Sequence, residues 1–162
     1  MLFRSEKCGY IDETGREVIK PKYDRADSFS EGLAAVSIND KYGYIDKTGK
    51  EIIPFKYYRA DNFSDGLAVV NSGWKCGYIN KNGAEVIEAK YHGASEFSDG
   101  IATVMLNEKE GLIDKTGKEI IKPKYDFIYK YSEGLAAVSL NGKKGFIDKT
   151  GKEIGAKHRL RH

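Results

Sequence analysis

Several residue types are scarce. The 162 residues include two cysteines, three histidines, three prolines, two methionines and one tryptophan. Two cysteines cannot make the disulfide framework of a small secreted scaffold. His92, His158 and His162 do not recur, and no Cys or His falls at metal-finger spacing. No Gly-x-Ser-x-Gly elbow, phosphate loop or dinucleotide fingerprint is present. No apolar run approaches the roughly 18 residues of a membrane-spanning helix. The opening Met1-Leu2-Phe3-Arg4-Ser5-Glu6-Lys7 has no apolar signal-peptide core. Charge of one sign is missing too: 27 Lys and Arg stand against 24 Asp and Glu, a net +3 that argues against a nucleic-acid partner. These absences predict a non-enzymatic chain with no catalytic residues, metal or cofactor, cytoplasmic, with two free thiols.

Glycine, by contrast, is abundant, at 18 of 162 residues, and tyrosine numbers 11. The glycines are in phase. Gly9, Gly43, Gly77, Gly111 and Gly145 lie 34 residues apart, as do Gly15, Gly49, Gly83, Gly117 and Gly151, and again Gly32, Gly66, Gly100 and Gly134. Matching columns run beside them: Ile11, Ile45, Ile79, Ile113 and Ile147; Ala34, Ala68, Ala102 and Ala136; Tyr23, Tyr57, Tyr91 and Tyr125. The chain is a tandem array.

A period of 34 suits paired helices, but the residues do not. Three glycines per unit would cost about 1 kcal/mol each inside helices, and no i, i+3, i+4, i+7 apolar pattern recurs. Short β-rich runs recur instead: Leu33 to Ile38, Tyr42 to Asp46 and Glu51 to Ile53. Asn39-Asp40-Lys41 and Asn141-Gly142-Lys143 read as tight turns between the first two strands. Asp46-Lys47-Thr48-Gly49 links the next two, its Asp capping the turn; a Lys at the third alternate position makes it a poor calcium loop. Each unit therefore reads as a three-stranded antiparallel meander. The stretch from Pro21 to Gly32 leads to the next unit, with one helical turn ending at Gly32. Five such units make an all-β, open, solenoid-like array; a closed five-bladed propeller-like ring is the alternative, although 34 residues is lean against the roughly 40–50 of a propeller blade. Residues 1–154 form a single repeat domain, in units at about 2–32, 33–66, 67–100, 101–134 and 135–154. The basic tail 155–162 is predicted to be poorly ordered.

The columns also predict faces. Tyr10, Tyr44, Tyr78, Leu112 and Phe146 point one way from the second strand and the isoleucine column points the other, so that strand is covered on both sides. In the first strand the Ala and Val columns face the core. The alternate positions Ala35, Val69, Thr103 and Ala137, then Ser37, Asn71, Met105 and Ser139, read as a partly exposed face. The series Phe29, Phe63, Phe97 and Tyr131 plugs the connector onto the sheet. Cys8 and Cys76 share a column with a whole unit between them, too far for a disulfide, and read as small hydrophobes.

The run from Gly43 to Pro54, then Lys56-Tyr57 and Phe63-Ser64-Asp65-Gly66-Leu67-Ala68, resembles the bacterial WG-containing repeat, and the likeness recurs in phase over residues 2 to 154. The family takes its name from a Trp before the first Gly. That column here reads Cys8, Tyr42, Cys76, Glu110 and Lys144, and Trp74 sits two residues before it. The resemblance implies a β-rich repeat used as an interaction module, with no catalytic residues to transfer.

Function must therefore come from what the repeat leaves over. The Ser-Glu-Gly and Ser-Asp-Gly turns occur four times, and a feature copied four times is scaffold. The interleaved Lys and Glu columns read as a solvated face rather than a stripe for an anionic polymer. The tyrosine column of the connectors reads as packing. Tyr58, Trp74, Phe127 and Tyr129 break the pattern and are the candidate binding residues. They predict a monomeric scaffold for protein–protein interaction or, as the second reading, a module that binds a glycan or cell-wall polymer through connector aromatics.

Overall fold

A computed structural model describes residues 6–154; the basic tail and its two histidines lie outside them. Among these residues there is no helix. The strands form one two-stranded sheet, β1 (Cys8–Ile11) with β2 (Glu17–Tyr23), and four sheets of four strands. The first of these holds β3 (Arg25–Ala26), β4 (Leu33–Ile38), β5 (Lys41–Asp46) and β6 (Glu51–Tyr57). The second holds β7 (Arg59–Ala60), β8 (Leu67–Asn71), β9 (Cys76–Asn80) and β10 (Glu85–Tyr91). Next come β11 (Gly93–Ala94), β12 (Ile101–Leu106), β13 (Lys109–Asp114) and β14 (Glu119–Tyr125), then β15 (Phe127–Ile128), β16 (Leu135–Leu140), β17 (Lys143–Asp148) and β18 (Glu153–Ile154). None of the sheets closes into a barrel. The expected meander of three strands is there, and the connector adds a short fourth, as Arg25 pairs with Ser37 and Ala26 with Val36.

No helical turn precedes Gly32. Ser30 and Leu33 exchange both backbone hydrogen bonds across Glu31 and Gly32, whose φ angles are 53° and 86°. Two positive φ values in a two-residue loop define the type I′ turn, whose twist suits a hairpin. Glycine at the second position takes that conformation without the penalty a Cβ brings. The same geometry joins β4 to β5 through Asn39 and Asp40, both with positive φ. The Asp46 turn is capped as predicted: Oδ1 accepts from the Thr48 amide, the Thr48 hydroxyl and the Lys50 amide, at 2.9, 2.6 and 3.0 Å. Asp12, Asn80, Asp114 and Asp148 repeat the turn.

Gly43 has a different reason to be glycine. Tyr42 pairs with Tyr57 and Tyr44 with Ile53, so three residues of β6 bulge past one residue of β5. The bulge brings the backbone onto Gly43, where a Cβ would lie 2.6 Å from the Ile53 carbonyl oxygen. Gly9, Gly77 and Gly111 meet the same obstacle, at 2.4 to 2.6 Å.

The chain gathers into two compact units, one up to Ala89 and one from Lys90. In the first, repeats pack sheet on sheet. Ala35, Tyr44, Ile53 and Tyr57 of one repeat share a core with Ala60, Phe63, Ala68, Val70 and Ile79 of the next. Ile19 and Tyr23 meet Ala34, Val36 and Ile45 in the same way. Ala35 and Ser37 are consequently buried, where a partly exposed face was expected, because the following repeat lies on them, and Val69 is buried as well. Ser30 Oγ donates to the Phe63 carbonyl at 2.7 Å and the Gly66 amide to Glu31 Oε1 at 2.9 Å, stapling one connector turn to the next. In the second unit Leu112, Ile121 and Tyr125 pack on Ile128, Ala136, Val138 and Ile147. The second strand is covered on both sides in the interior repeats, but Ile11 and Phe146 are exposed. Each lies on the face of its strand that no described repeat covers.

Candidate functional site

The repeat interfaces of the two units differ in how the connector is held. In the first unit the connector is tied down by a phenol. Tyr44 Oη donates to the Asp61 carbonyl at 2.6 Å, and its ring meets Phe63 edge-on at 4.9 Å. Tyr10 does the same to Asp27 at 2.6 Å, with Phe29 at 4.8 Å. Burial raises the hydroxyl pKa of both, that of Tyr10 to about 12, so both remain donors over the physiological range. In the second unit the equivalent of Tyr44 is Leu112, and that of Asp61 is Tyr129. Leucine has no hydroxyl to donate to the Tyr129 carbonyl. Tyr131, in the Phe63 position, donates its own hydroxyl to the Asp148 carbonyl at 2.7 Å, and burial holds that phenol up at about 12.

A cavity of about 660 Å³ lies there, within the size range of small-molecule and side-chain pockets. Ile101, Thr103, Met105, Leu112 and Ile128 line it. Thr103 and Met105 are half-buried, whereas their first-unit counterparts Ala35 and Ser37 are covered. Glu110 also lines the cavity, and its carboxylate accepts from the Ile128 amide at 2.6 Å. On the rim, Lys149 Nζ pairs with Asp99 at 3.1 Å.

The structure sorts the four predicted site residues into two pairs. Phe127 and Tyr129 come together, their rings stacked at 5.9 Å and 25°, 55% and 47% exposed, and Tyr129 lines the cavity. Trp74 stands 94% exposed on the four-residue loop between β8 and β9, and Tyr58 lies at the base of that loop, its amide donating to Asn71. These two depart from the repeat together. At the Tyr58 position Asp24 and Asp126 accept the amide of the next hairpin turn, from Asn39 and Asn141, and form ion pairs with Lys7 and Lys109 that hold their carboxyls below the ordinary value. Tyr58 cannot accept that way, and its hairpin has the longer loop. Its ring takes the Lys41 ammonium instead, 3.5 Å from the centroid. Tyr58 is thus 56% exposed but partly engaged. The repeated connector tyrosines, Tyr23, Tyr57, Tyr91 and Tyr125, are buried and offer no stacking surface.

The profile of the WG containing repeat matches residues 9–42, 42–75, 77–109 and 111–143. The chain belongs to the WG-containing repeat family. No curated protein matches it. Among solved structures it is similar to the extracellular domain of a hybrid two-component system from B. thetaiotaomicron, with a TM-score of 0.47 and 13% identity over 82% of this chain. It spans only 22% of that chain.

The cytoplasmic location expected from the sequence is not upheld: the similar solved domain is described as extracellular. The thiols give no support to that location either. Cys8 lies in β1 and Cys76 in β9, with the β3–β6 sheet between them, so they do not pair with each other in any compartment. Among the described residues no cluster of His, Cys, Asp or Glu is suited to a metal ion.

Reading the columns one at a time found the exposed aromatics but missed the cavity. Its signal was the concentration of departures in one interface: Thr103, Met105, Glu110, Leu112, Phe127, Tyr129 and Tyr131 all differ there from the second repeat.

Proposed function

We propose that the chain is a non-enzymatic, monomeric, cofactor-free repeat scaffold that binds a protein partner through the Phe127–Tyr129 pair beside the cavity of the second unit, with Trp74 as a separate contact on the first. The observation that carries this reading is the exposure of four large aromatics at positions where the repeat does not need them. A repeat spends its conserved chemistry on stacking, so residues that depart from it and face solvent are free for recognition. Rigid aromatic side chains supply contact area at low entropic cost, and a partly apolar cavity beside them gives a partner side chain somewhere to seat.

The test is capture of partners on the immobilised chain, compared between wild type and the Phe127→Ala/Tyr129→Ala double variant, with a glycan array run in parallel. A specific protein captured by wild type and lost with the double variant, at unchanged thermal stability, is the expected outcome. Specific sugar retention lost on Tyr129→Ala would replace this reading with glycan binding. Capture that is indifferent to both substitutions would overturn the proposed surface.

A further inference from the structure

We infer that the cavity of the second unit seats a cation on an aliphatic stem, the side chain of a lysine in the partner polypeptide; this rests on the scaffold reading above. The charge that recognises it belongs to Glu110. At that column the earlier repeats carry Cys8, Tyr42 and Cys76, so the carboxylate enters the array only at this interface. Glu110 sits in β13 between Met105 of β12 and Tyr125 of β14. Its Oε1 accepts from the Ile128 amide at 2.6 Å, and its other oxygen has no donor among the described residues. The cations beside it are engaged elsewhere. Lys109, next in the chain, pairs with Asp126, and Lys124 lies over the Tyr125 ring, 5.1 Å from the centroid.

The surroundings suit a stem and a charge together. Ile101, Met105, Leu112 and Ile128 supply apolar walls along which the methylenes of a lysine can lie. On the rim Asp99 and Lys149 neutralise each other at 3.1 Å, which leaves Glu96 and Glu110 facing Lys130 alone. The lining therefore carries an excess of one negative charge, which a bound ammonium balances. Glu110 is half-buried, so pairing it costs less desolvation than an ion pair in the core. Tyr129, also in the lining, offers a π face to the ammonium, as Tyr58 does to Lys41 at 3.5 Å. An ammonium matches the site better than a guanidinium. With Oε1 committed to Ile128, a single oxygen remains, and the planar fork of an arginine is complementary to two. The exposed Phe127–Tyr129 pair beside the cavity supplies contact for the backbone that carries such a side chain.

The experiment is a chemical-shift titration of the full chain with N-acetyl-L-lysinamide, N-acetyl-L-norleucinamide, N-acetyl-L-argininamide and n-butylammonium as separate probes. Lysinamide is expected to shift the amides of Glu110, Ile128 and Tyr129 saturably. Norleucinamide has the stem without the charge and is expected to bind at least tenfold more weakly. Glu110→Gln keeps an acceptor for the Ile128 amide and removes the charge, and is expected to weaken lysinamide binding at least tenfold with the fold kept. Lysinamide shifts that survive Glu110→Gln would make Glu110 a structural cap and overturn the inference. Equal binding of norleucinamide and lysinamide to the wild-type chain would overturn it too, whatever the variant does. Argininamide bound as tightly as lysinamide would overturn the choice of an ammonium, and n-butylammonium bound without lysinamide would overturn the polypeptide source. The titration needs no partner, so its failure leaves capture through Phe127 and Tyr129 standing. Lysinamide bound with no protein captured would overturn the scaffold reading and leave the ammonium site.

Discussion

The hydroxyl of Tyr44 reaches 17 residues forward to the backbone carbonyl of Asp61 at 2.6 Å, tying the second strand of one repeat to the connector that opens the next. A single phenol thus joins the β3–β6 sheet to the β7–β10 sheet, with its ring sealed against Phe63. Tyr44→Phe keeps the ring and leaves the carbonyl without its donor, and is expected to cost about 1–2 kcal/mol. Tyr44→Leu also opens the space and is expected to cost about 3 kcal/mol. Urea denaturation of the two variants checks the order. No loss in Tyr44→Phe would mean that the hydroxyl does nothing, and equal losses that the ring adds nothing.

Gly43→Ala puts a Cβ 2.6 Å from the Ile53 carbonyl oxygen, which the bulged backbone cannot easily yield. The expected loss is about 3 kcal/mol or more. Gly73→Ala, where a Cβ meets nothing within 4 Å, is the control and is expected to stay within about 0.5 kcal/mol. Thermal melts of both variants make the comparison.

The turn aspartates give the fold an acid limb. Hydrogen bonds from the Thr hydroxyl and from backbone amides lower the carboxyl pKa of Asp12, Asp46, Asp114 and Asp148 below the ordinary 3.8. A carboxyl whose pKa is lower in the folded chain contributes stability above its unfolded value, and loses it as pH falls through the folded one. Stability is therefore expected to fall as pH drops below about 4. Asn80 already makes the same turn, its Oδ1 accepting from the Asn82 and Ala84 amides at 3.0 Å. Replacing all four aspartates by Asn is thus expected to keep the fold and make the acid limb shallower, with Asp24 and Asp126 supplying what remains, as read from urea midpoints between pH 5.5 and 2.5. An unchanged slope would assign the acid sensitivity elsewhere.

The period, the strands and the capped Asp turn were legible in the sequence because each rests on a local rule: glycine where φ is positive, Asp where a turn needs an acceptor, alternation where a strand has two sides. The short strand Arg25–Ala26 was not legible, since two residues carry no periodicity and form a strand only by pairing with Ser37 and Val36. The helical turn expected before Gly32 failed for a related reason: Ser-Glu-Gly fits either a helix end or a type I′ hairpin, and only the pairing of Ser30 with Leu33 decides. Burial of Ala35 and Ser37 likewise depends on the repeat that lies over them. The candidate aromatics could be named in advance because they break a column. The cavity could not, because it lies between two repeats and no single column marks it.

The central claim is that a tyrosine tether closes each repeat interface of the first unit and that the interface at Leu112 in the second unit lacks it. Hydrogen exchange at two equivalent amides tests it most directly. Asp61 N–H bonds to the Val69 carbonyl at 2.9 Å and Tyr129 N–H to the Ala137 carbonyl at 2.8 Å, so their local hydrogen bonds match. The Asp61 amide is predicted to be protected at least tenfold more than that of Tyr129, with Tyr44→Leu bringing the two together. Equal protection in the wild-type chain, or a difference untouched by Tyr44→Leu, would contradict the account.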